Sequence, residues 1–483
     1  MDETAKMRPL NLNQAYMTFL FPFSFHEKKS QQLIEQLTAK HFTFFTLDQK
    51  DLQDAYYGNG VKVEHEELDQ YFLPFIERKL FPHQTKQKGF LRFSKSVNES
   101  FNLDVHDTTF SFKVNSIDVM LCPFGIGFIT IRTEMDQRES PISGLLDFMS
   151  HFRVLEPKLD EEKGSVIRKG EKEFKTTNEF VFDYLCPDIK SFIIHDEKMS
   201  GYFGSLPFFE DERMLSAGFL IADGEHPISN DQLFRMGQLD GKDPNGKPYM
   251  STTNREYIDR YVKKHVHDRW APDAYTVTSE HTQITVSVST PEQLTKPLSH
   301  FMGTFHYNLM LHYFYKIMLL RLSFEYSEIQ WDHDEDYVEE LIELITKFSS
   351  HFYFGEVSAR TEGKELSHTF REIFHLNNLY EEVKQTLHEL YRTQENQAAK
   401  RHNMLLFMLT VFTVVSGIYG MNLVIEDWKG KTDWSKVPGY SFFEWISLIT
   451  ALAGISLSVI LLFSTGGKGL WKKFRKWKRD KNK

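Results

Sequence analysis

The spacing of apolar and polar residues along this chain changes character between its first third and its end. From Tyr16 to about Met135 the apolar residues come in short runs: YMTFLFPFSF, FTFFTLD, GFLRFS and TTFSFKVNSIDVMLCPFGIGFITIRTEM. Runs this short, rich in Phe, Ile, Val and Thr, predict strands. Within SFKVNSIDVMLCPFGIGFITIRT, the segment Pro123 to Gly127 predicts a turn between two strands. GIGFIT has two glycines of a dinucleotide loop but lacks the third and precedes a strand, so that reading fails. Helical spacing interleaves at Glu27 to Lys40 and at Ile142 to Leu155. Residues 1–290 therefore read as an α/β or α+β domain. Residues 230–273 are polar and turn-rich, and GQLDGKDPNGKPYMS predicts a surface insertion. A calcium loop is excluded there, because an EF-hand register counted from Gly246 starts at Gly241 and ends at Thr252.

From Pro291 the pattern turns helical, and residues 291–402 read as a helical region. LSHFMGTFHYNLMLHYFYKIMLLRLSFEY is strongly apolar but is interrupted by His306, His312, Lys316 and Arg321. Its charge-free pieces fall short of the ~20 residues of a spanning helix, so it predicts a buried one. WDHDEDYVEELIELITKF starts acidic, as the positive end of a helix dipole favours, and carries the stripe Tyr337, Leu341, Ile345 and Phe348. A long stalk helix is expected over 361–402. Its seam is Leu366, Phe370, Ile373, Leu376, Tyr380, Val383, Leu387 and Leu390, at alternating threes and fours.

Two apolar runs follow. Met404 to Ile425 is 22 residues without a charge, and Trp445 to Phe463 is 19. Each meets the length of a bilayer span, which places a first transmembrane helix over 403–425 and a second over 445–463. The loop between them, 426–444, holds four acids and three lysines. Arg392, Lys400 and Arg401 precede the first run. The tail 464–483 carries nine basic residues and one acid, so the rest of this −10 chain carries −18. The positive-inside rule then puts both termini in the cytoplasm and the loop outside, as in a multi-pass plasma (inner) membrane protein. The basic tail is expected to pair with anionic lipid of the bilayer, and no nucleic-acid partner is expected.

At the end of the first run stands SGIYGMNLVIEDW, Ser416 to Trp428. Gly and Asn at a helix end read equally as an ordinary C-cap. In this position, however, Tyr419, Gly420, Met421 and Asn422 at the outer end of the penultimate apolar run resemble the signature of the CorA family of magnesium channels. The short acidic loop, second run and basic tail extend the resemblance over the last ~80 residues, by the span lengths above. The resemblance implies a homopentamer with an α+β cytoplasmic domain, long helices and a two-helix transmembrane hairpin, arranged as a funnel. It implies Mg²⁺ as the transported ion and as a regulator, with Gly420, Met421 and Asn422 as selectivity filter. A ring of Asn422 amides offers neutral oxygens to the waters of a hydrated ion that dehydrates reluctantly. Gly420 gives backbone clearance, and Met421 is a packing residue, because a thioether does not suit a hard cation.

Counting back at helical spacing gives the pore face Gly417, Thr413, Thr410, Leu406 and His402. Thr413 and Thr410 either face an ion's water shell or bond back to their own helix carbonyls. Leu406 would be a hydrophobic gate and His402 a solvated, pH-sensitive inner end. Glu426 and Asp427 form an acidic external mouth that concentrates cations. Asp332, Asp334, Glu335 and Asp336 are candidate regulatory metal ligands, or simply an exposed helix start. Co²⁺ and Ni²⁺ are alternative cargo. A Zn²⁺ transporter of the same superfamily and a membrane-anchored sensor or binding module without transport are the rival readings. Neither a Walker loop, a nucleophile elbow nor HExxH occurs, so no enzyme is expected. Cys122 and Cys186 are too few and too far apart for a disulfide framework or a zinc motif and read as buried thiols.

Overall fold

Strands form where the sequence supplies long stretches of aromatic and β-branched residues. The computed structural model describes residues 10–157, 162–194, 213–224, 226–243, 245–288, 291–329, 335–420, 434–446, 448–450, 452–453 and 456. β1 (Asn11–Ser24) leads into α1 (Ser30–Ala39), β2 (Thr43–Phe44), α2 (His65–Tyr71) and α3 (Pro74–Leu80). The meander β3 (Leu91–Val105), β4 (Thr108–Leu121) and β5 (Ile126–Pro141) follows, then α4 (Ile142–Phe152), β6 (Ser165–Lys169), β7 (Lys172–Phe174) and the short α5 (Thr177–Glu179). Next come β8 (Leu215–Ala222), α6 (Asn230–Gln238), α7 (Arg255–His265), β9 (Val266–His267), β10 (Ala274–Thr278) and β11 (Thr282–Ser287). The remaining helices are α8 (Pro291–His300), α9 (His306–Ser327), α10 (Glu335–His351), α11 (Thr361–Ile373) and α12 (Leu376–Gly420).

All eleven strands join one mixed sheet of order β7-β6-β3-β4-β5-β1-β8-β11-β10-β9, with β2 beside β3. Its pairs are antiparallel except β8 with β11. The tight connection expected at Pro123 to Gly127 is a short 3₁₀ turn at Pro123–Gly125 between β4 and β5. Aromatic side chains pack on both faces of the sheet. On one, Phe148 and Phe152 of α4 stack on Phe19 and Phe112, with ring centroids 4.7–6.4 Å apart. On the other, Phe301 lies against Phe219 and Tyr313 of α9 against Phe128. The α9 helix is buried around its whole circumference from His306 to Leu319, which fits a helix apolar on every side.

The polar segment expected as a surface insertion is only partly that. Residues 245–249 are exposed, but α6 is buried from Gln232 to Gly237. A capping box between Ser229 and Gln232 starts that helix. Arg235 then fixes the following turn, donating to Gly241 O (2.7 Å), Tyr249 O (2.6 Å) and Ser143 Oγ of α4 (2.8 Å).

The single stalk helix expected over 361–402 is two helices. His375 adopts φ +54° between α11 and α12, a left-handed conformation that ends a regular helix. α12 then runs for 45 residues. The chain divides within it into two units, residues 1–387 and 388–483.

The expected fold class needs correction, and with it the transmembrane, ion-channel and multi-pass plasma-membrane readings. A mixed eleven-stranded sheet with its helices organises the described residues, in place of a cytoplasmic domain feeding a transmembrane hairpin. Among the described residues, no helix is long and apolar enough to cross a membrane. Within the described residues the apolar part of α12 covers 17 positions, Met404 to Gly420, which rise ~26 Å against a ~30 Å hydrocarbon core, and residues 421–433 lie outside the described residues. Most of the second expected span, and all of the loop up to residue 433, lie outside the described residues.

Candidate functional site

The sheet face under α9 carries, beside Phe128 and Phe219, a row of small and polar residues. Ser116 of β4, Arg132 of β5, Thr18 of β1, Ala217 of β8, Gln283 of β11 and Thr278 of β10 are direct register partners from strand to strand. Paired residues share a face, so the six side chains line up across the sheet. All six are buried.

Next to this row, Asp118 is held between two guanidiniums. Arg132 donates through Nη1 to Asp118 Oδ2, and Arg92 through Nη2 to Asp118 Oδ1 at 3.3 Å, with its Nε 3.0 Å from Oδ2. Arg92 is otherwise fully used. Its Nε reaches Ser94 Oγ (2.9 Å) and its Nη1 reaches the hydroxyls of Tyr57 (3.0 Å) and Tyr307 (2.9 Å). The rings of Phe45, Tyr56, Tyr57 and Tyr307 surround it, Phe45 closest at 4.2 Å. Such contacts stabilise a desolvated guanidinium.

Arg132 is different. It is 0% exposed, and among the described residues its Nε and Nη2 have no hydrogen-bond partner. Burial alone would raise the Asp118 carboxyl, but the Arg132 and Arg92 charges and the hydrogen bonds from Arg132 and Ser94 outweigh it and hold it below the ordinary range. His306, at the start of α9, is pushed far down, first by burial and then by Arg132, so its imidazole is neutral. The cluster thus holds two cations and one anion away from water, a net charge of +1.

Sequence reading missed this cluster. Its signal is a charged residue inside each of three neighbouring apolar strands: Arg92 in LRFS, Asp118 in SIDVML and Arg132 in ITIRTEM.

His402, Leu406, Thr410, Thr413, Gly417 and Gly420 lie on α12. Leu406, Thr410 and Thr413 are exposed. Thr410 Oγ1 donates to Leu406 O (2.8 Å) and Thr413 Oγ1 to Leu409 O (2.9 Å), the back-bonding alternative of the two weighed above. Met421, Asn422, Glu426 and Asp427 lie outside the described residues, as do Asp332 and Asp334. Glu335 opens α10, and Asp336 beside it is exposed. Among the described residues, no group of three His, Cys, Asp or Glu side chains is placed to hold a metal ion. Cys122 and Cys186 are buried free thiols.

Comparison with family models, curated proteins and solved structures found no match for this chain.

Proposed function

We propose that the chain serves passive Mg²⁺ transport as the subunit of a CorA-like homopentamer, with Co²⁺ and Ni²⁺ as further cargo. In this reading Asn422 presents a ring of amide oxygens to the hydrated ion, and Gly420 and Met421 shape the approach to it. The reading concerns cargo and assembly; among the described residues no helix is long and apolar enough to cross a membrane.

The observation that supports it is the second half of α12. Met404, Leu405, Leu406, Phe407 and Leu409 are all exposed in the single chain, Phe407 at 69%, while Met408 among them is buried at 6%. At ~100° per residue, four consecutive residues point around the full circumference of a helix. One neighbour covers only one side, so burying this segment needs several, and closed cyclic symmetry supplies them from copies of the same chain. The described part of the segment runs to Gly420, two positions before Asn422 in sequence. The back-bonded hydroxyls of Thr410 and Thr413 fit the same reading. A hydroxyl that has donated its proton to a carbonyl keeps lone pairs to accept from an ion's water.

Growth tests the reading. A bacterial strain without Mg²⁺ uptake of its own, producing this chain, should grow at low Mg²⁺. Its counterpart producing Asn422→Ala in equal amount should not. Equal growth with both would overturn the Asn422 ring, and growth with neither would overturn transport.

A further inference from the structure

The buried row and its charge cluster carry an inference independent of cation transport. We propose that Arg132 is the anchor of an internal binding site for a small carboxylate anion, held between the β5 strand and the start of α9. Three observations lead there.

The first is geometry. Arg132 spends Nη1 on Asp118 and leaves Nε and Nη2 unpartnered. Those two N–H groups form one edge of the guanidinium and point in parallel, the arrangement that grips both oxygens of a carboxylate at once. The second is charge. Arg92 and Arg132 against Asp118 leave +1 in a fully buried cluster, with the neighbouring His306 neutral. Isolated buried charge is strongly unfavourable, and a monoanion cancels it where a dianion would reverse it. The third is the row itself. Beyond Arg132 it continues through Thr18 and Ala217, both small, to Gln283, whose Nε2 is a further buried donor without a partner. Unpartnered buried donors outnumber acceptors along this row, which favours a ligand that only accepts.

Tyr57 adds to the enclosure, its ring 5.3 Å from the Arg132 guanidinium. Formate and acetate are the smallest carboxylates with the two parallel oxygens that such a fork grips. Arg92 takes no part in holding the anion, because its own donors are committed to Asp118, Ser94, Tyr57 and Tyr307.

The test uses the full chain, freed of carboxylates by dialysis into chloride buffer. Sodium formate and sodium acetate are then titrated against sodium chloride at constant ionic strength while thermal unfolding is followed. Binding to the folded state alone raises Tm with each tenfold of ligand, here by about 2 °C above half-saturation. Arg132→Lys keeps the charge and removes the parallel fork, so it should lose that dependence. A second readout needs no variant: in the ¹⁵N spectrum of arginine Nε groups, one resonance should move in acetate and not in chloride. Identical Tm in all three salts with an unchanged Nε spectrum would overturn the site, as would a carboxylate-dependent rise that Arg132→Lys retains.

Discussion

Asp118→Asn is the substitution whose cost the structure defines best. The side chain keeps its shape but loses the charge that two buried guanidiniums share. Asp118 is 2% exposed, Arg92 2% and Arg132 0%, so water replaces none of the lost interaction. Removing one member of a buried ion pair costs about 3–5 kcal/mol, because the other is left uncompensated. Here two partners are stranded together and repel each other. The remaining amide oxygen of Asn retains one acceptor, so the lower figure, about 3 kcal/mol, is the least expected. Against a total stability of about 5–15 kcal/mol, that is a large fraction.

Urea unfolding followed by circular dichroism measures it. The pH dependence supplies a second signature. The folded carboxyl lies below its ordinary value, so its contribution is complete above the ordinary carboxylate range. It is lost as pH falls through the folded value. Wild type should therefore shed this stability in acid, and Asp118→Asn, already without it, should show a shallower acid limb. A variant within about 0.5 kcal/mol of wild type at pH 7, with the same acid limb, would refute the role given to this cluster.

Three further substitutions have defined outcomes. Gly89→Ala would place a Cβ 2.4 Å from the Lys79 carbonyl oxygen, which the Phe90 N–H holds in place at 2.8 Å; overpacking against fixed backbone should cost about 1–3 kcal/mol in urea unfolding. Ser229→Ala removes the capping box of α6 and should cost about 1 kcal/mol, while Ser229→Asp, which keeps a cap acceptor, should cost less. Burial, then the nearby Arg153 and Lys316, pushes the His281 imidazole down to about 4. Its neutral form is the folded one, so stability is complete above the ordinary value of 6.5 and falls as pH drops from there toward 4. His281→Gln should remove up to about 3 kcal/mol of that fall, measured as the difference in unfolding free energy between pH 7 and pH 4.

Local pattern revealed some elements well. The strand-rich stretch from Tyr16 to Met135 holds β1 to β5, and the helical spacing at Ile142 to Leu155 is α4. The interrupted apolar run at residues 298–326 is the buried α9, where His306, His312 and Lys316 are tolerated inside the protein. The break at His375 was not legible, because an unbroken seam of threes and fours passes straight through it. One residue with positive φ leaves no mark on hydrophobic spacing. The Arg92–Asp118–Arg132 cluster was not legible for a different reason. A charged residue in a strand normally reads as solvent-facing, and burial here depends on pairing across three strands and on Tyr57 and Tyr307, 35 and 215 positions from Arg92. The spanning hairpin rested on apolar length and on the charge asymmetry of its flanks, and among the described residues no helix is long and apolar enough to cross a membrane. The Gly-Met-Asn triplet remains a sequence feature, with Met421 and Asn422 outside the described residues.

The rate of Mg²⁺ entry tests the functional proposal most directly. Cells producing the chain, loaded with a Mg²⁺-sensitive dye, are shifted from Mg²⁺-free to millimolar Mg²⁺ medium beside cells producing Asn422→Ala and cells producing neither. The account predicts fast entry with the wild-type chain and background entry with Asn422→Ala. Background entry with the wild-type chain, or equal fast entry with both, would contradict it.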